Sequence, residues 1–200
     1  MKKLIETNKI TDVIEVYHSK FLKLYEIVYK TKKGNEKKWM VASRKELNQY
    51  KKMLLKEEKV AIDAVLIVAI DPEKDSLVLI KEFRLPINDF IYSLPAGLID
   101  PGEDMFESAV REMKEETGLD LYEIDIKKSC KKSFASVGMS DESLALVYGN
   151  VRGEFSSAGL EESEVIEPLY VDRKMAKEII ESDANIDIKA WLVLKEFAGI

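Results

Sequence analysis

The stretch Gly97-Leu98-Ile99-Asp100-Pro101-Gly102-Glu103-Asp104-Met105-Phe106-Glu107-Ser108-Ala109-Val110-Arg111-Glu112-Met113-Lys114-Glu115-Glu116-Thr117-Gly118-Leu119 decides how this chain is read. Its 23 residues carry 7 acids against 2 bases, Arg111 and Lys114, for a net charge of −5. Asp104 and Glu107 have the spacing of a helix capping pair and Gly118 supplies a stop, so the pattern predicts a helix over 104–117. On that helix Glu112, Glu115 and Glu116 fall at i, i+3 and i+4, which puts three carboxylates on one face within reach of one another. Met105, Ala109 and Met113 recur at four-residue spacing on the opposite side and pin it to a core. Like charges this close repel unless a cation compensates them. Hard divalent ions such as Mg²⁺ take oxygen ligands of this kind and keep waters and substrate phosphates in their remaining positions. A solvated acidic face would account for a lone Glu-Glu pair; the residues around this one argue otherwise.

Outward from this segment the signals alternate between strand and helix. Apolar, β-rich runs at 60–70 and 76–81 are joined by a polar turn at 71–75, and 90–94 is a third short run. Strands over 124–134, 143–151 and 165–171 follow, then helices over 173–181 and 188–197. Upstream, the alternation over 13–29, the turn residues Lys33-Gly34-Asn35 and the run 38–43 read as strands. Ser43 with Glu46 spells a capping box for a short helix carrying Leu47, Tyr50 and Leu54 on one face. A ribbon this small is marginal alone and must pack on the rest of the chain or on a second copy.

Composition bounds the chemistry. The chain has 200 residues, 46% of them hydrophobic and 34% charged, the balance of a soluble globular protein with a real core. Its longest apolar run, 64–70, is far shorter than the ~18 residues of a membrane span. Met1-Lys2-Lys3 leads into Glu6, Asn8 and Lys9 rather than an apolar stretch, so no secretion signal is read and a cytoplasmic location is expected. Cys130 is the only cysteine and His18 the only histidine, which disfavours zinc sites and makes a carboxylate the expected general base. Cys130 itself reads as a small apolar residue. Residues 1–56 hold 15 bases and 6 acids, a net of +9, and the remainder a net of −15. An acidic protein overall is a poor nucleic-acid binder, and the basic part reads as a solvated sheet face.

Reading forward from Gly97, Glu103 follows after five residues, Arg111-Glu112-Met113 after seven more, then Glu115-Glu116 and Gly118-Leu119 after one each. This resembles the Nudix box, the signature of hydrolases that cleave a nucleoside diphosphate linked to another moiety. Met113 stands where that family usually has Ile, Leu or Val. The resemblance implies metal ligation by Glu112, Glu115, Glu116 and the backbone carbonyl of Ala96, with Glu115 also among the catalytic groups. It makes Glu103 and Arg111 a structural ion pair bracing loop and helix. It also implies an α/β (α+β) fold, a Nudix α/β/α sandwich with a mixed sheet over 58–200, preceded by a small antiparallel β region over 1–57.

Leu94-Pro95-Ala96-Gly97-Leu98-Ile99-Asp100, preceded by Lys81-Glu82-Phe83-Arg84-Leu85-Pro86, looks like the ADP-ribose pyrophosphatase branch of that superfamily. Members of the branch place a strand-rich N-terminal region in a homodimer, often exchanged between subunits, and stack aromatic residues of it on adenine. Trp39 is the candidate here, and Arg84 the candidate to hold the phosphates or terminal ribose. The segment 135–142 resembles the family loop that carries a catalytic glutamate ahead of a strand, with Glu142 at the matching position and Asp141 as the fallback. Two residues depart from the branch pattern: Val137 stands where Pro is usual and Ser93 where an acid is usual. The reaction implied is Mg²⁺-dependent hydrolysis, with Mn²⁺ as an alternative cation, of ADP-ribose to AMP and ribose 5-phosphate, Glu142 deprotonating the attacking water. A nucleoside diphosphate sugar is the alternative substrate. A non-catalytic nucleotide sensor ranks below the hydrolase because the box is intact, and an RNA-binding role through the +9 segment ranks lower still.

Overall fold

The computed structural model describes residues 8–57 and 61–200, arranged as two compact units, Met1–Ile62 with Phe134–Ser143 and Asp63–Ser133 with Leu144–Ile200. Met1-Lys2-Lys3 and Val60, used in the sequence reading, lie outside the described residues.

In the first unit, alternating apolar and polar residues form β1 (Lys9–His18), β2 (Lys23–Lys30) and β3 (Glu36–Ser43), an antiparallel meander in that order. The β2–β3 turn places Gly34 at φ +84°, a backbone state that only glycine adopts without cost. Helix α1 (Leu47–Leu54) packs Leu47, Tyr50 and Leu54 on a small core of Val13, Tyr25, Val41 and Tyr50. The rings of Tyr25 and Tyr50 stack there at 5.0 Å. Ser43 and Glu46 form no capping box. Ser43 ends β3 and its hydroxyl accepts from the Lys45 N–H, while Glu46 caps no backbone group with its side chain and pairs with Lys23 at 2.7 Å. The buried lysine takes the carboxylate that the cap would have used.

The second unit is built on an eight-stranded mixed sheet. Its strands are β4 (Ala64–Asp71), β5 (Ser76–Arg84), β6 (Asp89–Ser93), β7 (Ala96–Leu98), β8 (Asp120–Tyr122), β9 (Cys130–Phe134), β10 (Ser143–Arg152) and β11 (Ile166–Val171). The order is β11-β5-β4-β10-β8, with β6 on β5, β7 on β4 and β9 on β10. Strands β4 and β10 pair in parallel, whereas β4 with β5 and β7, β5 with β6 and β11, and β8 with β10 pair antiparallel. Strand β4 is buried on both faces, as a central strand between two layers must be. Its Ala64, Leu66 and Val68 face the core formed with α3 (Arg173–Glu181) and α4 (Ile188–Ala198). Helix α2 (Met105–Thr117) packs on β4, β7 and β8, completing an α/β/α sandwich. Among the described residues no helix is long and apolar enough to cross a membrane.

Two three-residue strands, β7 and β8, are too short to show a period in sequence. The strand expected over 124–134 is shorter than its pattern suggests. The Asp125 carboxylate accepts from the Lys127 and Lys128 N–H groups and turns the chain, so the strand begins only at Cys130. Cys130 is exposed on it.

Helix α2 begins as its sequence predicts. The Asp104 carboxylate accepts from the Phe106 and Glu107 N–H groups at 2.7 and 3.0 Å, and Glu107 reaches back to the Asp104 N–H at 2.9 Å. Gly118 ends it at φ +80°. Asp104→Ala should cost about 1 kcal/mol of stability, the usual worth of an N-cap, read as a lower urea midpoint at unchanged slope; an unmoved midpoint would mean that packing alone holds the first turn.

Candidate active site

Helix α2 buries Met105, Ala109 and Met113 completely or nearly so, which turns the face bearing Glu112, Glu115 and Glu116 toward β7. With Ala96, Gly97, Leu98, Asp100 and Arg111 these three glutamates line a cavity of about 620 Å³ in the second unit. The approach of β7 to the helix is close enough to require a glycine. A Cβ on Gly97 would lie 1.8 Å from Cδ of Glu112, so any side chain there would occupy the place of that carboxylate. Ala96 meets the helix one residue earlier, its N–H donating to Oε2 of Glu116 at 2.9 Å.

Arg111 organises the acids. Its Nε and Nη2 donate to the two oxygens of Glu103, each at 2.9 Å, and Nη2 donates also to the Leu98 carbonyl at 2.9 Å. Nη1 donates to Glu112 at 2.7 Å and to Glu115 at 2.9 Å. A guanidinium has five N–H donors, and each of them is used. The contact holds the Glu103 carboxyl down at about 2. Glu112 goes the other way: its burial pushes the carboxyl above its ordinary value against the pull of Arg111. Glu116 is only 6% exposed, and burial pushes it up to about 9, against the stabilising Ala96 N–H.

The donor set fits a hard divalent cation by its chemistry: anionic oxygens, one of them buried deeply enough to favour a proton wherever no cation replaces it. Among the described residues no group of three or more acids is arranged around a common point, because Glu112 and Glu115 are turned to Arg111. Glu116 and the Ala96 carbonyl, with Glu112 and Glu115 after a side-chain rotation, are the groups that would hold the ion.

The loop between β10 and β11 brings acids that the sequence reading did not include. Ser156 donates its N–H to the Thr117 carbonyl at 2.9 Å, and Gly159 passes so close to α2 that a Cβ on it would lie 2.7 Å from the Cα of Glu115. Glu161 and Glu164 thereby line the same cavity as the three helical glutamates. The signal available in sequence was the acidic run Glu161-Glu162-Ser163-Glu164 behind a glycine.

Arg84 and Ser93, both in the second unit, are not among the residues that line this cavity. Arg84 ends β5 with its guanidinium 2.9 Å from Glu82 and exposed. Ser93 contacts the same Glu82 at 3.4 Å. Trp39, Asp141 and Glu142 belong to the first unit. Trp39 is 50% exposed on β3, Asp141 is paired with Lys45, and Glu142 accepts from Arg44 at 3.3 Å.

Two outcomes follow from this geometry. Gly97→Ala should leave the unfolding midpoint nearly unchanged, since the displaced group is the tip of a flexible side chain. Turnover should fall roughly 10²-fold, the loss that a misplacement of about 1 Å produces; wild-type turnover would show that the position of Glu112 is not critical. The second outcome concerns pH in the presence of a chelator. Glu116 titrates near 4.5 when unfolded and near 9 when folded, so the folded protein holds the extra proton. Its contribution to stability is complete below pH 4.5 and is lost as pH rises toward about 9. Glu116→Gln should flatten that decline in a series of denaturation midpoints; an identical decline in the variant would refute the assignment.

A model of the NUDIX domain matches residues 61–192. The ADP-ribose pyrophosphatase of Saccharomyces cerevisiae is 30% identical over 191 residues, 90% of this chain and 76% of the yeast protein. The ADP-ribose pyrophosphatase of Bacillus subtilis is 30% identical over 142 residues, 66% of this chain and 73% of that one. A crystal structure of an ADP compounds hydrolase superposes with a TM-score of 0.73 over 99% of this chain and 97% of the other at 20% identity, a likeness of fold. With the domain model matched over most of its length and such relatives aligned beyond the box, this chain belongs to the Nudix family of hydrolases.

Proposed function

We propose that this protein hydrolyses the pyrophosphate of ADP-ribose to AMP and ribose 5-phosphate, with Mg²⁺ as the working cation and Mn²⁺ as a substitute. One observation carries the choice of substrate: likeness to the yeast ADP-ribose pyrophosphatase extends over 90% of the chain, whereas the box alone serves any linked nucleoside diphosphate. A pyrophosphate repels an attacking nucleophile through its own negative charge. The cation, when bound, supplies the countercharge. Glu112, Glu115, Glu116 and the Ala96 carbonyl hold it, and Arg111 with Glu103 keeps loop and helix together around it. The water oxygen bonds to phosphorus as the bridging P–O bond breaks, and Glu142 accepts the water's proton. Arg84 contributes charge-assisted hydrogen bonds to the phosphates or terminal ribose. Trp39 offers an open indole face for adenine. A homodimer assembled through the N-terminal sheet is part of the proposal, since Val16, Tyr17 and Phe21 leave more than half of their surface exposed there.

A second reading concerns the base alone. Glu161 and Glu164 line the cavity of the helical glutamates, so either could take the proton in place of Glu142. Asp141 is the weaker choice because its carboxylate is committed to Lys45.

Incubation with Mg²⁺ and a panel of ADP-ribose, nucleoside diphosphate sugars, NADH and diadenosine polyphosphates should yield AMP and ribose 5-phosphate fastest from ADP-ribose. Preference for another member would assign the changed specificity to the region of Ser93 and Val137, and tight binding without turnover would make the protein a nucleotide sensor. Glu142→Gln should keep KM and lose about 10² or more in kcat; the same loss in Glu164→Gln or Glu161→Gln, with Glu142→Gln active, would move the base to the β10–β11 loop.

A further inference from the structure

Two consecutive cations, Arg44 and Lys45, follow β3, and two consecutive carboxylates, Asp141 and Glu142, precede β10. Within the first unit they pair in reverse order, the first cation with the second carboxylate. Lys45 Nζ lies 2.9 Å from Asp141 Oδ2, with side chains only 5% and 11% exposed. Arg44 Nε and Nη2 each lie 3.3 Å from Glu142 Oε1, with side chains 44% and 32% exposed. One ion pair is buried and its neighbour is open to solvent.

The cationic half is fixed from behind. Buried Lys23 donates through Nζ to the Arg44 carbonyl at 3.2 Å, and the Tyr25 hydroxyl donates to the Lys45 carbonyl at 2.8 Å. Tyr25 is itself immobilised in the stack with Tyr50, where burial pushes its hydroxyl up to about 12 and keeps it protonated as a donor. The acidic half is a turn that touches the sheet by backbone. The Ala42 N–H donates to the Met139 carbonyl at 2.8 Å, and Ala42 forms a parallel bridge with Ser140. The Met139 and Ser140 N–H groups both donate to the Ser136 carbonyl at 2.9 Å.

A buried ion pair is a poor source of stability, because desolvation offsets its attraction, but a good source of register. Here the opposite pairing, Lys45 with Glu142 and Arg44 with Asp141, would bury Glu142 and expose Asp141. We propose that Lys45 and Asp141 are positioning residues: their buried pair fixes the segment 134–143 on the end of β3 and so fixes where the Glu142 carboxylate stands. This rests on the reading that Glu142 touches the substrate or the attacking water.

The test is a cycle on the full-length protein. Lys45→Met with Asp141→Leu removes both charges of the pair together, the replacement that costs a buried pair least. Turnover of ADP-ribose should fall about tenfold or more with KM within about twofold, the pattern of a misplaced group rather than a lost binding contact. Lys45→Arg, which keeps the charge, should recover most of the rate. In a Glu142→Gln background the same double substitution should cause no further loss, because there is no carboxylate left to misplace. Should the double variant not fold, Lys45→Gln with Asp141→Asn keeps the shape and polarity of the pair without its charges and carries the same expectation through the same cycle. Wild-type turnover in the pair variants beside an inactive Glu142→Gln would overturn the positioning role, and so would losses that simply multiply. Wild-type turnover in Glu142→Gln would instead overturn the role of Glu142 itself.

Discussion

One guanidinium with no spare donor is the constraint around which the site is arranged. Arg111 reaches backward to Glu103 and the Leu98 carbonyl and sideways to Glu112 and Glu115, so the loop leading into α2 and the helix itself share a single cation. A lysine offers three donors from one point and could not join partners that lie in different directions. The charge also limits the cost of crowding: without it, Glu103, Glu112 and Glu115 would face one another uncompensated.

Backbone closeness is the second constraint, imposed from two sides of α2. On β7, Gly97 leaves room for the Glu112 carboxylate; in the β10–β11 loop, Gly159 leaves room for the turn of helix bearing Glu115. Neither glycine is there for an unusual backbone angle. Each is the absence of a side chain: at Gly159 it lets main chain press against the helix, at Gly97 it gives the Glu112 carboxylate its place, and Glu116 on the same helix is enclosed. The raised affinity of Glu116 for a proton is the electrostatic record of that enclosure.

The sequence revealed those parts of the molecule whose cause is local. The ends of α2 were legible because Asp104, Glu107 and Gly118 act within one turn of the helix, and its carboxylate face because spacing alone defines it. The family resemblance supplied the sandwich, which the mixed sheet and its flanking helices bear out. What depended on distant partners was not legible. Glu46 looked like a helix cap until Lys23, far along the chain, claimed it. The strand over 124–134 looked continuous until the turn at Asp125 shortened it. Glu161 and Glu164 gave no periodic signal, because what carries them to the cavity is the contact of Gly159 with α2.

The parallel pairing of β4 with β10 sets the order in which the second unit can be made. Ala64 must find Leu144, and the whole carboxylate-bearing helix lies between them. During synthesis the hairpins of β4, β5 and β6 can close as they emerge, since their contacts are local. The centre of the sheet cannot, and α2 leaves the ribosome before β8 and β11, on both of which it packs. For that interval the acidic segment 97–119 has only β4 and β7 to rest on. The carboxylates that Arg111 holds are thus synthesised before the sheet that carries their helix can be completed.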